Sequence, residues 1–332
     1  MADDVTEESG NYGGSAGPWA RTRSSNTSGS EGEPASKDGG ATLGPRPGPK
    51  GFDWARLAWR MPLYFAGTGV LAGAWFLALP VALASRGARR RLRRYTMRGW
   101  GRWSLWCFAI ELETRGTLPR EGVLLVANHT SYVDIWVLAA RLDPVFVSME
   151  ELARWPFFGF MARALGTVFL DRRRKRDILA ANRAMLAWIE QGYTVVLFPE
   201  GGNSHGHAVQ RFRPSLLEPA AAERVPVACA TLGYATEPED PPASRVVAWV
   251  RDPFLPHALM LASRRRIRAR LVLHTELEQH DDRKELAGRL HARVASVFRT
   301  ESGDFLPDSE RGGPDDGQVP RAPNRGENHL TP

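Results

Sequence analysis

Val123-Leu124-Leu125-Val126-Ala127-Asn128-His129-Thr130-Ser131-Tyr132-Val133-Asp134 is the stretch on which the reading of this chain turns. Its first residues are an apolar run of strand length, and Ile135, Trp136, Leu138 and Ala139 continue past Asp134 with helical spacing. A strand passing through a short turn into a helix is the unit of an α/β domain. Ser131 is a suitable helix N-cap, which leaves His129 in the turn and Asp134 in the first turns of the helix. On a single ideal helix two side chains five residues apart would point about 140° apart. From the preceding turn, however, the imidazole can fold back over the helix start and reach the carboxylate. That contact would fix the ring's tautomer and support the cation formed when the ring takes a proton.

Further along, Thr194-Val195-Val196-Leu197-Phe198 reads as a second buried strand, ending in Pro199-Glu200-Gly201-Gly202-Asn203-Ser204. Loops at the C-terminal ends of strands are where α/β sheets place their sites. Other strand candidates are Val145–Ser148, Thr167–Leu170, Val225–Thr231, Val246–Val250 and Arg268–Leu273. Asp177 to Gln191 has the helical period, with Gly192 at its stop. A last helix starts near Asp282, with Glu285 in the capping-box position. The expected fold is therefore α/β: a mixed, largely parallel sheet flanked by helices, over residues 111–300, long enough for a packed core.

The 332 residues carry a net charge of +7, and the positive residues are clustered. Residues 1–50 and 301–332 are poor in aliphatic side chains and are expected to be disordered tails. No apolar core near Met1 suggests a signal peptide. From Met61 to Ser85 there is no charged residue, and a helix of that length can cross a hydrocarbon core of roughly 30 Å. Seven arginines follow between Arg86 and Arg98, and then the aromatic run Trp100 to Trp106. Residues 51–110 thus read as a membrane-associated helix or helix pair, spanning the bilayer or dipping into one leaflet. The heavier positive flank puts the rest of the chain on the cytoplasmic face of the cell membrane. Basic clusters also suit nucleic acid, but beside such an apolar segment an anionic membrane surface fits them better. Cys107 and Cys229 lie in apolar runs, give no disulfide framework and read as buried, inert thiols. No metal is expected, because His205 and His207 have no carboxylate or cysteine partners at ligand spacing.

Taken in order, Asn128-His129 through Asp134, Phe169-Leu170-Asp171-Arg172, Phe198-Pro199-Glu200-Gly201 and Val225-Pro226-Val227 resemble the four motifs of the phospholipid/glycerol acyltransferase family. Glu151-Leu152, Pro156-Phe157-Phe158-Gly159 and Leu165-Gly166 between them are similar to it as well. The resemblance, which covers roughly residues 60–300, implies O-acyl transfer from acyl-CoA or acyl-carrier protein to the free hydroxyl of a lysolipid, with no cofactor. It implies that His129, oriented by Asp134, deprotonates the hydroxyl, which attacks the thioester directly. Asn128, Arg172, Glu200, Gly201, Gly202, Asn203 and Ser204 would then meet substrate. The run Arg173-Arg174-Lys175-Arg176 would dock CoA phosphates or an acidic carrier, or else simply start a solvated helix.

Two departures bear on the acceptor. Met149 stands where the family commonly has lysine, and Gly202-Asn203-Ser204 stands where it commonly has Thr-Arg-Ser. A subset that includes lyso-ornithine lipid acyltransferases is matched instead at Ser204 and Gly206, with His205 in place of that subset's aspartate. The family's usual acceptor, 1-acylglycerol-3-phosphate, is the first expectation, and a phosphate-free acceptor such as lyso-ornithine lipid is the alternative. From outside this chemistry, a thioesterase and a catalytically silent membrane-binding protein are the rival readings.

Overall fold

The computed structural model describes residues 53–118, 122–155, 158–170, 175–250 and 252–298. Both tails lie outside them, as do Asp171, Arg172, Arg173 and Arg174. In chain order the elements are α1 (Trp54–Leu83), α2 (Arg86–Cys107), β1 (Ile110–Arg115), β2 (Leu124–Ala127), α3 (Val133–Arg141), β3 (Pro144–Met149), α4 (Glu150–Ala153) and α5 (Phe158–Ala164). There follow β4 (Val168–Leu170), α6 (Lys175–Glu190), β5 (Thr194–Leu197), a 3₁₀ turn (Pro214–Leu216), α7 (Glu218–Ala222), β6 (Val227–Thr236), α8 (Ala243–Val246), α9 (Phe254–Ser263), β7 (Ile267–Leu273) and α10 (Arg283–Val297).

The strands form one seven-stranded sheet in the order β1-β7-β6-β2-β5-β3-β4. Every pairing is parallel except β6 with β7. The expected mixed, largely parallel sheet flanked by helices is thus the observed one. β2 lies at its centre between β5 and β6, and residues Leu125, Val126 and Ala127 are fully buried. That is why a short run with no polar residue makes the strand: each face of it meets a helix layer. Leu286 and Leu290 of α10 and Met185 of α6 pack on one face, while Trp136 and Val137 of α3 and Leu261 of α9 pack on the other.

One expected strand is absent. Val246–Val250 instead ends α8 and runs on as buried chain, with the amide of Trp249 donating to Thr130 O at 3.0 Å. The apolar run reflects burial on all sides (Val246, Val247 and Ala248 are fully buried) and not a ladder. Conversely, Ile110–Arg115 forms an edge strand although its sequence alternates with charge. The ends of two helices are built from their sequence signals. Gly192, which stops α6, has φ +82°, a conformation that glycine adopts without steric cost. Asp282 caps α10 by accepting from the amides of Lys284 and Glu285 at 2.7 and 2.9 Å. The reciprocal half of the capping box is not made, since Glu285 accepts from Arg289 instead.

α1 is long and apolar enough to cross a membrane. It folds back through Ala84 and Ser85 on α2, so the apolar segment and the arginines form a helix hairpin. Trp103 Nε1 donates to Tyr64 O at 3.3 Å, and Trp59 and Trp106 meet edge to face. α2 in turn lies tight against α3: a Cβ on Gly101 would fall 2.4 Å from the backbone nitrogen of Ala140. Buried Arg60 of α1 donates to the carbonyls of Ala262 and Arg264 at 2.8 and 2.6 Å. The outer side of α1 leaves Phe65, Val70, Leu77, Val81 and Leu83 exposed.

The arginine cluster is divided. Arg86, Arg89 and Arg91 are exposed, whereas Arg93 is buried, ion-paired with Asp143 and donating to Leu165 O at 3.0 Å. Arg90 reaches Gly192 O at 2.7 Å. Arg90 and Arg93 thus hold the hairpin to the domain, while Arg86, Arg89 and Arg91 stay at its surface. Arg264 and Arg266 are likewise taken up by ion pairs, with Asp240 and with Glu111.

Candidate active site

The strands β2 and β5 run side by side, so their C-terminal ends deliver the two loops that sequence had marked to one place. His129 sits in the turn after β2, outside the helix, and its Nδ1 lies 2.7 Å from Asp134 Oδ2. The same oxygen accepts from the amides of Thr130 and Ser131 at 2.7 and 3.0 Å. Ser131 also supports the helix start, its Oγ accepting from Val133 N at 3.1 Å. Asp134 is fully buried and acceptor-only as a carboxylate, so Nδ1 must carry the proton and Nε2 the lone pair. Among the described residues Nε2 has no hydrogen-bond partner, and the ring is 17% exposed. An imidazole so placed is ready to accept a proton from an incoming hydroxyl.

Two further contacts fix the ring. Its face stacks on Phe198, with centroids 3.9 Å apart and planes 13° from parallel. The second oxygen of Asp134 accepts from the hydroxyl of Tyr234 on β6. Tyr234 lies outside all the motifs read from sequence. Nothing in an apolar strand sequence shows which residue will face a carboxylate on a distant helix.

The β5 loop wraps the backbone of His129. Glu200 Oε1 accepts from His129 N at 3.1 Å, and both the amide and the hydroxyl of Ser204 donate to His129 O at 2.8 and 3.0 Å. Glu200 is buried, and its Oε2 has no hydrogen-bond partner among the described residues. Burial pushes its carboxyl up to about 8, helped by the charge of Asp134 and opposed by the amide of His129. Glu200 is therefore largely protonated at neutral pH. Gly201 takes φ +77°, and Gly202 is exposed, with open space where a Cβ would be.

The remaining residues expected to meet substrate are held otherwise. Buried Asn128 extends the ladder, with Nδ2 donating to Leu232 O and Oδ1 accepting from Leu232 N, both at 2.8 Å. Asn203 Nδ2 donates to Trp249 O at 2.6 Å. Asn128, Ser204 and Asn203 thus each brace the backbone around the site. Arg172 lies outside the described residues. Sequence reading also missed a ring cluster beside the site, in which Trp249 and Phe254 meet Tyr132 edge to face and Trp155 meets both. Buried His257 of α9 anchors it: Nε2 donates to Ala248 O at 3.1 Å, and Nδ1 accepts from Tyr132 Oη at 2.9 Å. Cys229 is fully buried with its thiol pushed up to about 12 by desolvation, unlike a nucleophile.

The Acyltransferase family model matches residues 109–232, which contain His129, Asp134, Phe198 and the Glu200–Ser204 turn, while Tyr234 and the Trp249–Phe254–His257 cluster lie just beyond. A lyso-ornithine lipid O-acyltransferase from Rhodobacter capsulatus is 34% identical over 258 residues, covering 71% of this chain and 92% of that protein. The chain belongs to the acyltransferase family. A 1-acyl-sn-glycerol-3-phosphate acyltransferase from Neisseria meningitidis is 30% identical to this acyltransferase over 199 residues, covering 59% of it and 78% of the relative. Among solved structures, the 1-acyl-sn-glycerophosphate (LPA) acyltransferase PlsC from Thermotoga maritima superposes with a TM-score of 0.54. That match covers 75% of this chain and 99% of the other at 20% identity, and it shows a shared fold.

Proposed function

We propose that this acyltransferase esterifies the free hydroxyl of a lysolipid with the acyl group of a thioester, acyl-CoA or acyl-carrier protein, at a membrane surface. One observation carries the reading: the hydrogen bond of 2.7 Å from His129 Nδ1 to buried Asp134, which leaves Nε2 open. The acceptor hydroxyl gives its proton to Nε2 as its oxygen bonds to the thioester carbonyl carbon. Collapse of the tetrahedral intermediate breaks the carbon–sulfur bond, and the imidazolium returns the proton to the departing thiolate. No acyl-enzyme forms, so no nucleophilic serine or cysteine is required.

For the acceptor, lyso-ornithine lipid is the first reading. Exposed Met149 and Asn203, which is tied to Trp249 O, offer no cation to a glycerophosphate, and the Rhodobacter relative is matched over nearly its whole length. The Neisseria relative keeps lysophosphatidate as the second reading. The hairpin of α1 and α2 is read as lying in one leaflet of the membrane. A spanning α1 would carry exposed Arg86, Arg89 and Arg91 and the packed domain into hydrocarbon, where each charge is costly.

The test offers purified protein in detergent palmitoyl-CoA with lyso-ornithine lipid, with lysophosphatidate, or with neither. Acylation of lyso-ornithine lipid faster than of lysophosphatidate is expected. The reverse order transfers the reading to lysophosphatidate, and free palmitate without acceptor would make the protein a thioesterase.

A further inference from the structure

Asp134 is saturated with donors to an extent that holding one imidazole does not require. Oδ2 alone takes His129 Nδ1 and the amides of Thr130 and Ser131, which already fix the plane and position of the carboxylate. The hydroxyl of Tyr234 then fills Oδ1 from the opposite side. Tyr234 comes from β6, paired with Ala269 of β7 and buried among apolar side chains, where a phenylalanine would pack as well. The phenol keeps its proton: burial, and then the charge of Asp134, hold it well above 10. It is therefore a fixed donor and cannot become a second base.

We propose that Tyr234 is a positioning residue that sets the basicity of His129 by drawing charge from Asp134 through the hydrogen bond to Oδ1. A carboxylate with donors on both oxygens exerts a weaker field on the imidazolium than one with Oδ1 bare. The imidazole is then less basic than an ordinary His–Asp pair would make it. It takes the proton of the hydroxyl as the new bond forms, and returns it readily to the thiolate.

The other ionisable groups around the pair do not supply this effect. Glu200, from the β5 loop, meets the backbone amide of His129, with its own carboxyl largely neutral. His257 of α9 reaches the hydroxyl of Tyr132 and not Asp134. Arg268 and Arg270 alternate to the other side of β7, where they pair with Glu237 and Glu113. On the far face of the sheet, Arg293 of α10 pairs with Glu276 and Glu278, and His274 meets Thr231. Arg245 of α8 is half-buried.

This inference rests on His129 being the base, so its test reads the imidazole directly. The full-length chain in detergent, labelled with ¹³Cε1-histidine, is titrated by NMR, the His129 signal being identified by its loss in His129→Ala. Relative to the unaltered protein, Tyr234→Phe should raise the pH at which His129 takes its proton by about half a unit. The acid limb of palmitoyl transfer to lyso-ornithine lipid or lysophosphatidate, whichever turns over faster, should move the same way. 3-Fluorotyrosine at position 234, a stronger donor of nearly the same shape, should lower both. A midpoint unmoved in both variants overturns the proposal and leaves Tyr234 a packing residue. If Tyr234→Phe does not fold, the fluorotyrosine protein decides alone, a fall supporting the proposal and no movement ending it. Retained activity in His129→Ala would overturn the general-base reading instead, and the titration would still report on Tyr234.

Discussion

The imidazole of His129 lies flat on the ring of Phe198, centroids 3.9 Å apart, so the residue just before the Pro-Glu-Gly turn forms the bed for the ring. Asp134 sets the tautomer and Phe198 sets the plane. Phe198→Leu keeps much of the buried volume but removes the flat support. A small displacement of a reacting group can cost up to about 10²-fold in rate. A roughly tenfold fall in kcat is expected, with little change in KM or in melting temperature; full kcat would show that Asp134 alone orients the ring.

His129→Ala should abolish nearly all turnover with the fold retained, since general-base help is worth roughly 10²–10⁴-fold. Asp134→Asn should lose a comparable factor. The asparagine amide can present an N–H to Nδ1, which would move the proton to Nε2 and remove the lone pair from the acceptor side. Steady-state rates and circular dichroism of both variants check this. More than about a tenth of wild-type rate in His129→Ala would rule the base out.

Glu200 makes stability depend on pH. Its carboxyl titrates at about 8 when folded, above the ordinary value of 4.5, so the folded state holds a proton that the unfolded chain has already released. Its contribution to stability is whole below pH 4.5 and falls as pH rises through about 8. Glu200→Gln keeps an acceptor for His129 N and carries no such loss. Urea unfolding at pH 5 and pH 8.5 should show the variant gaining on the wild type at the higher pH, on the order of 1–3 kcal/mol. Parallel pH profiles would mean that Glu200 stays ionised in the folded protein.

Asn203→Ala removes the donor to Trp249 O, and with it the tie between the glycine turn and the ring cluster of Tyr132, Trp249 and Phe254. Turnover should fall several-fold on lyso-ornithine lipid and lysophosphatidate alike, since the wall they share is loosened. A change confined to one acceptor would instead place position 203 against the headgroup.

Removing the N-terminal hairpin would uncover Trp136 and Phe108, so membrane attachment is better tested at its outer surface. Leu77 and Val81 are 84% and 78% exposed. Leu77→Asp with Val81→Asp places charge on the apolar face and leaves the packed face alone. Sedimentation with anionic liposomes should drop several-fold while the melting temperature holds. Undiminished binding would locate the attachment elsewhere.

The parts of the fold legible in the sequence are those governed by local patterns. Val123–Ala127 and Thr194–Phe198 announced buried strands because both faces of the central sheet are covered. Asp282 and Gly192 announced helix ends because their chemistry is local. Ile110–Arg115 was missed because an edge strand is half solvated, and its glutamates are paired by Arg266 and Arg270 from another element. Val246–Val250 misled because an apolar run records burial, whatever the backbone does. The His129–Asp134 contact could be anticipated from turn geometry. Tyr234 could not, being 100 residues away along the chain from its partner. Nor could the inward commitment of Asn128 and Asn203, since an asparagine beside a motif looks the same whether it serves substrate or backbone.

The clasp of Arg60 on Ala262 and Arg264, and of Arg93 on Asp143 and Leu165, joins the apolar hairpin to the catalytic sheet at both ends of the site's framework. A hinged anchor would let the catalytic domain tilt and sample many heights above the bilayer. On the proposed reading of the hairpin as the membrane attachment, a clasped one sets a single height of His129 above the lipid plane. On that reading the lipid rises to the enzyme by a fixed distance, and bilayer thickness and headgroup crowding are expected to alter the rate.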